Sequence, residues 1–214
     1  ILEKFPISYV MSHLACADEP EHPLNLKQRK KFKDIIYTLC GEHSGSLSNS
    51  AGIFLGKAYH FDMVRPGAAI YGIGCTPKDR KNLKPVVTLN AKILQTRLID
   101  RESTVGYGAE GIVKKNSRIA TVSLGYGDGL FRQLGNKGYG FVDGQRVPII
   151  GRVSMDLVTI NVTDLPETHC LPGKMIEFIG THQSADELAE KAGTIAYEIT
   201  TAFGNRLSRH YIGG

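Results

Sequence analysis

The stretch Thr76-Pro77-Lys78-Asp79-Arg80-Lys81-Asn82-Leu83-Lys84-Pro85 decides the fold, because the texture of the chain differs on its two sides. It is polar, charged and bracketed by prolines, which is the composition of a linker, expected over 76–85. Before it, residues 1–75 read as strand and helix in alternation. Ile7 to Ala15 is an apolar strand-like run, and Leu26 to Leu39 carries helical spacing at Leu26, Phe32, Ile35, Ile36 and Leu39. A Gly/Ser-rich stretch leads to Ser50, which is placed to cap a short helix through Gly56. Asp62 to Arg65 is strand-like, and Pro66-Gly67 opens a turn. Such alternation implies a parallel sheet or a (β/α) barrel. A complete barrel takes about 250 residues and eight units, and only about three are present, so the expectation is the C-terminal portion of a TIM-type (β/α)8 barrel.

After Pro85 the chain turns to Val, Ile and Thr. The runs Val86 to Ile99, Ser117 to Leu124, Gly140 to Val142, Val147 to Val162 and Lys174 to Ile179 are separated by Gly, Asp and Asn turns, with Asp143-Gly144 as a hairpin signal. Residues 86–214 therefore read as a mainly β domain closed by helices at Ser184 to Ala192 and Thr194 to Phe203. The fold class is α/β plus all-β.

With 214 residues, 42% of them hydrophobic, the chain can bury a sizeable core. The net charge of +5 has one dense basic run, Lys27 to Lys33, that suits an exposed helix face, and no nucleic-acid-binding motif accompanies it. Cys16, Cys40, Cys75 and Cys170 stand far apart, with no CxxC pair, which suggests reduced thiols in a cytoplasmic protein and no zinc site. No apolar run approaches the roughly 20 residues needed to cross a bilayer. The chain opens on Ile1, not Met, and is expected to be one piece of a longer polypeptide.

Local patterns carry the chemistry. In Arg65-Pro66-Gly67-Ala68-Ala69-Ile70-Tyr71-Gly72, Pro and Gly at a helical start let backbone amides point outward, as anion sites require; taken alone it is only a turn. Leu47-Ser48-Asn49-Ser50-Ala51-Gly52 offers hydroxyls and amides to the same kind of anion, although an N-cap serine without a ligand is the commoner origin of such a sequence. Val105-Gly106-Tyr107-Gly108-Ala109 flanks a tyrosine with glycines, which permits close backbone approach and a fixed phenol; the plain alternative is a loop aromatic. Gly125-Tyr126-Gly127-Asp128-Gly129, Ser154-Met155-Asp156 and Tyr197-Glu198-Ile199 are each weak alone.

Their combination and order are not weak. Together with Ser12-His13-Leu14-Ala15, these patterns resemble the alanine racemases from about Ser12 to Tyr211. The resemblance implies an N-terminal (β/α)8 barrel carrying pyridoxal 5'-phosphate (PLP), a C-terminal β domain, and a homodimer whose active sites are shared between subunits. It implies interconversion of L- and D-alanine, supplying D-alanine for peptidoglycan. Tyr107 then matches one of two catalytic bases and reaches the PLP of the partner; the other base is the lysine that forms the Schiff base with PLP. Two bases suit a reaction in which a proton leaves one face of a carbon and returns to the other. A free phenol is a weak base at neutral pH, so a relay is needed, and His13 and Arg65 match it. Arg65 matches the residue facing the pyridine nitrogen. An arginine does not give up its proton, so that nitrogen stays unprotonated and the electron sink is weak, which favours simple proton exchange.

By the same resemblance Ser50, Gly67, Ala68 and Tyr197 match phosphate-binding positions, Gly67 and Ala68 through their backbone amides. Met155 matches the residue whose N–H holds the substrate carboxylate, and Tyr126 and Asp156 match the narrow substrate entrance. The departure is the lysine. In the family it lies in a Lys-Ala segment followed by Ala-Tyr-Gly-His, upstream of the part that this chain matches, as does an arginine for the substrate carboxylate. Lys57-Ala58-Tyr59-His60 is a superficial echo that lacks the glycine and falls late in the barrel. The segment alone is expected to be inactive. Readings left open are a racemase of another small amino acid such as serine, and a fragment acting only as an assembly module. The related decarboxylases place a carboxylate at the pyridine nitrogen, and Arg65 argues against them.

Overall fold

The computed structural model describes residues 7–38 and 43–213. Cys40 and Leu39 lie outside the described residues. The chain divides into two compact units, Ile1–Val86 and Val87–Gly214.

In the first unit, β1 (Tyr9–Met11) pairs in parallel with β2 (Ser44–Ser46), with α1 (Pro23–Thr38) as the crossover between them. Pro23 stands at the first helical position, where its missing N–H costs nothing. The buried side of α1 differs from the one its apolar spacing suggests. Leu26 is 56% and Ile35 41% exposed, while Phe32 and Asn25 are buried. Asn25 is there because its amide donates to the carbonyls of Cys16 and Glu19, both at 2.9 Å, and ties the loop before the helix to its first turn. Phe32 packs with Leu14, Ala17, Leu47 and Ala51 into a small core.

Two further local expectations shift. The helix α2 runs Ser50–Phe54, shorter than expected, and its N-cap is Asn49, whose side chain accepts from the Gly52 N–H at 3.0 Å. Ser50 is the first helical residue. Asp62 to Arg65 forms no paired strand. Phe61 makes a single antiparallel bridge to Ser46, after which the Asp62 and Met63 N–H groups both donate to the Gly45 carbonyl and Arg65 N–H donates to Ser48. The 76–85 segment carries a short helix, α3 (Pro77–Arg80), capped by Thr76.

The second unit is a six-stranded sheet in the order β8-β7-β10-β3-β6-β9, made of β3 (Leu89–Leu98), β6 (Arg118–Val122), β7 (Tyr139–Val142), β8 (Gln145–Pro148), β9 (Val158–Asn161) and β10 (Met175–Ile179). Every pairing is antiparallel, and β7 and β8 join through the Asp143-Gly144 hairpin. Ile149, just past β8, bridges Ile160 of β9, so the two end strands meet and the sheet nearly closes into a barrel. A two-stranded ribbon, β4 (Ser103–Val105) with β5 (Gly111–Val113), projects from it. Alternate residues, among them Leu89, Ala91, Ile93, Val122, Val142, Val147, Ile160, Ile176 and Phe178, fill the interior. The helix α4 (Ala185–Ala192) opens on a Ser184/Glu187 capping box and packs on β10, and α5 (Ala196–Thr201) follows it.

The run Val147 to Val162 is not one strand. It breaks between β8 and β9, and the break, residues 149 to 157, carries Met155 and Asp156.

Candidate functional site

In the first unit, Leu14 is drawn into the core, and its neighbour His13 is left exposed on the outer side of the same turn. Gln28 of α1 grips that turn, accepting from the Ala15 N–H at 3.0 Å and donating to the His13 carbonyl at 2.9 Å. Arg65 comes to the same place from the far end of the unit. Its guanidinium donates to Ser46 Oγ at 2.6 Å and to the Ser12 carbonyl at 2.8 Å, and lies 3.4 Å from His13 Nδ1. The other ring nitrogen of His13 is 3.3 Å from the Asn49 amide. His13 and Arg65 are therefore neighbours, held by Ser46 and Asn49, two residues the sequence patterns had not singled out for this purpose.

Ser50 and the Arg65-Pro66-Gly67 turn also meet. The Gly67 N–H donates to Ser50 Oγ at 2.8 Å and the Ala69 N–H at 3.2 Å. The start of the 3-10 turn Ala68–Tyr71 is thus docked on the first residue of α2, with Ser50 Oγ accepting from both main-chain donors. Serving two main-chain donors as acceptor leaves the hydroxyl hydrogen of Ser50 available for donation. Ala68 opens its turn, so no carbonyl of that turn serves its N–H. Lys57, by contrast, stands exposed in a separate 3-10 turn, Lys57–Tyr59.

In the second unit, Tyr107 is 72% exposed on the loop joining β4 and β5. Gly106 and Gly108 both take left-handed φ, 78° and 73°, and a Cβ on Gly108 would sit 3.1 Å from the Arg152 guanidinium carbon. The glycines let the loop lie flat on Arg152, and Arg152 pairs with Glu110 at the loop's end. The hydrogen bond from Arg152 holds the Glu110 carboxyl below the ordinary glutamate value. A carboxyl so depressed stabilises the folded loop above its unfolded pKa, and the contribution vanishes as pH falls through the folded one. Acidification should accordingly shift the Tyr107 amide resonance in an NMR titration, whereas Glu110→Gln should give the shifted position at every pH; an unchanged titration in the variant rejects this anchor.

The segment that carries Arg152 continues into Ser154-Met155-Asp156, onto which the Gly125–Gly129 loop is clasped. The Tyr126 N–H donates to the Ser154 carbonyl at 2.9 Å and the Gly127 N–H to the Met155 carbonyl at 2.8 Å. Ser154 closes its own turn, its hydroxyl bonded to the Leu157 carbonyl at 2.8 Å. Asp128 is buried and accepts from Gly125 N–H at 2.9 Å, while Arg206 bonds both Asp128 and Asp156. Tyr126 and Met155 are about half exposed, so three loops present Tyr107, Tyr126 and Met155 along one connecting segment. Tyr197 is the second residue of α5, 37% exposed.

Among the described residues no group of three or more His, Cys, Asp or Glu could hold a metal ion, and no helix is long and apolar enough to cross a membrane.

Comparison with known proteins adds to this geometry. The sequence model described as alanine racemase, N-terminal domain, matches residues 2–75, and that described as alanine racemase, C-terminal domain, matches residues 86–211. Over 212 residues, 99% of this chain, the sequence is 47% identical to an alanine racemase of Rhodospirillum rubrum and covers 56% of it. It is 45% identical over 208 residues to a catabolic alanine racemase of Mesorhizobium japonicum, covering 54% of that protein. Among solved structures, an alanine racemase from Bartonella henselae with covalently bound pyridoxal phosphate is 40% identical, with a TM-score of 0.92, over 98% of this chain and 58% of the other. The chain therefore spans about half the length of the relatives it matches.

Proposed function

This chain belongs to the alanine racemase family, and from that premise we propose that it serves PLP-dependent interconversion of L- and D-alanine as one part of a racemase. The observation that carries the proposal is the convergence of Gly67 N–H and Ala69 N–H on Ser50 Oγ at the start of α2, in a unit where Arg65 and His13 stand side by side. These residues fit the phosphate and pyridine ends of PLP. The donor hydrogen left on the Ser50 hydroxyl and the unserved amide of Ala68 are suited to a phosphate, and a guanidinium already committed to Ser46 and Ser12 is a fixed donor suited to an unprotonated ring nitrogen.

Bound there, PLP would supply the electron sink for the carbon that loses its proton. The chain's own residues would do the rest. The Ser50 hydroxyl and the Ala68 N–H, with Tyr197, would hold the phosphate, and Gly67, whose N–H donates to Ser50 Oγ, would set that hydroxyl in place. Arg65 would donate to the ring nitrogen, and His13 would couple Arg65 to the phenol that moves the proton. Tyr107 would take or return the α-proton on one face, and Met155 N–H would hold the substrate carboxylate behind an entrance formed by Tyr126 and Asp156. Tyr107 and Met155 would act on the cofactor of a partner subunit in a homodimer. The base on the opposite face would be a lysine, and no lysine in these 214 residues stands in the family's Lys-Ala, Ala-Tyr-Gly-His setting. Racemisation therefore needs the lysine-bearing part of the enzyme, and the proposed cellular role is supply of D-alanine to peptidoglycan.

The test is incubation of the native protein with L-alanine in deuterated water. The expected result is D-alanine carrying deuterium at the α-carbon, with serine turned over more slowly; no exchange with either amino acid rejects the proposal. A second expectation concerns the cradle. Ser50→Ala removes the shared acceptor and the phosphate donor together, and a hydrogen bond to a charged group contributes about 1.5–3 kcal/mol, so PLP affinity should fall on the order of tenfold or more. Equilibrium dialysis against PLP reads this directly, and undiminished affinity places the phosphate elsewhere.

A further inference from the structure

We propose that Arg206 is a positioning residue for substrate carboxylate binding: it fixes the main chain at Met155 against Tyr126 and offsets the charge of Asp156 beside the anion. The inference rests on the racemase reading and deepens it, because nothing so far assigns Arg206 a part in it.

Four observations converge. Arg206 Nε donates to Asp128 Oδ1 at 2.8 Å, and its Nη1 donates to Asp156 Oδ1 at 2.6 Å, so one planar fork ties the Tyr126 loop to the Met155 turn. Asp128 is buried, and its other oxygen accepts from Gly125 N–H at 2.9 Å, which passes the constraint to the start of the loop. Gly204 N–H donates to the Asp128 carbonyl at 3.2 Å, so the segment bearing Arg206 is docked on the same loop. Finally, the guanidinium approaches the loop backbone itself: a Cβ on Gly127 would lie 3.3 Å from Arg206 Nη1 and 3.0 Å from the Met155 carbonyl.

Charge gives the contact its consequence. Asp156 is half exposed and adjoins Met155, whose N–H would receive a carboxylate. An uncompensated Asp156 would repel that carboxylate, since like charges a few ångströms apart disfavour one another. Arg206 is shared with Asp128, so with it in place the three groups carry one net negative charge instead of two, and the repulsion facing the carboxylate is reduced. Arg206 touches neither the reacting carbon nor the cofactor in this reading, so its removal should weaken substrate binding and leave turnover nearly intact.

The experiment compares native protein with Arg206→Ala, Arg206→Lys, and Arg206→Ala combined with Asp156→Asn. Racemisation gives KM and kcat, and calorimetric titration with propionate, an unreactive carboxylate, gives binding without turnover. Expected are a KM and a propionate Kd raised about tenfold in Arg206→Ala, a smaller rise in Arg206→Lys, kcat within about twofold of native, and recovery to within about threefold of native when Asp156→Asn is added. A merely structural clamp would predict no such recovery in the double variant, because an amide in place of the Asp156 carboxylate restores no tie between the loops. If Arg206→Ala does not fold, Arg206→Lys with and without Asp156→Asn poses the same question. Unchanged KM and Kd in the Arg206 variants, or a double variant no better than the single, overturns the inference. A native protein that exchanges no alanine proton overturns the racemase reading itself, and the inference with it.

Discussion

Replacing Tyr107 by phenylalanine is expected to lower racemisation by about a thousandfold while leaving the fold and the visible absorbance of bound PLP unchanged, since a positioned acid–base group contributes roughly 10²–10⁴ in rate. The phenol lies on an exposed loop, 72% open, and its ring fills no core position, so the missing hydroxyl should not be felt as lost packing. The loop is held by Gly106 and Gly108 against Arg152, and by the Arg152–Glu110 pair, none of which involves the phenolic oxygen. What is lost is the transfer of one proton on one face. That makes the defect directional. The base on the opposite face remains, so in deuterated water one enantiomer of alanine should still exchange its α-proton with retention, while the other should not exchange at all. NMR of each enantiomer separately reads this. A variant that keeps more than about a tenth of native racemisation, or that loses exchange with both enantiomers equally, removes Tyr107 from the role of base on one face.

How much of this was legible in the sequence depends on how local each feature is. The strand Met175–Ile179, the Asp143-Gly144 hairpin and the start of α4 after Ser184 are written in runs of a few residues, and they fold where those runs stand. The first turn of α2 is ambiguous in the sequence because Asn49 and Ser50 are both competent caps. The choice is settled by Gly67 and Ala69, 17 and 19 residues away, which claim the Ser50 hydroxyl and leave Asn49 to cap. In the same way the Val, Ile and Thr texture of 147–162 conceals a break. Gly151 takes a left-handed φ of 76° there, and the following residues are committed to the loops at 105–108 and 125–129. Apolar spacing in α1 marks Leu26 and Ile35 as buried, yet the helix turns Asn25 inward because the loop before it needs a donor. Of the site residues, each pattern is weak alone. Their assignment comes from order and resemblance, because the contact between Arg65 and His13 spans 52 residues. Arg206, 78 and 50 residues from its two carboxylates, has no local signal at all.

Gly125 offers the sharpest test of whether the Tyr126 loop must sit where it does. Its backbone is extended, with φ −148° and ψ −171°, a conformation open to any residue, so alanine there carries no intrinsic penalty. The obstacle is contact. A Cβ would lie 2.3 Å from the Met155 carbonyl oxygen, 2.4 Å from its carbon and 2.5 Å from the Asp156 nitrogen, all of them main chain and none able to rotate away. The loop and the Met155 turn must separate by roughly 1 Å to relieve it, and in doing so they stretch the Tyr126 to Ser154, Gly127 to Met155 and Gly125 to Asp128 hydrogen bonds. Overpacking of this kind costs about 1–3 kcal/mol and each weakened bond adds up to about 1 kcal/mol, so Gly125→Ala should destabilise the second unit by about 3 kcal/mol in urea denaturation. Activity should fall further than stability alone explains, by about 100-fold, because a displacement near 1 Å at substrate-positioning groups is enough to do so. Gly173→Ala is the matched control. Gly173 is left-handed, with φ 90°, but a Cβ there meets nothing within 4 Å, so it should lose about 1–2 kcal/mol to backbone strain and keep native turnover. If the two variants were equally active per folded molecule, the close approach of Gly125 to Met155 would be a packing feature, and the Tyr126 entrance would have to be sought in another part of the chain.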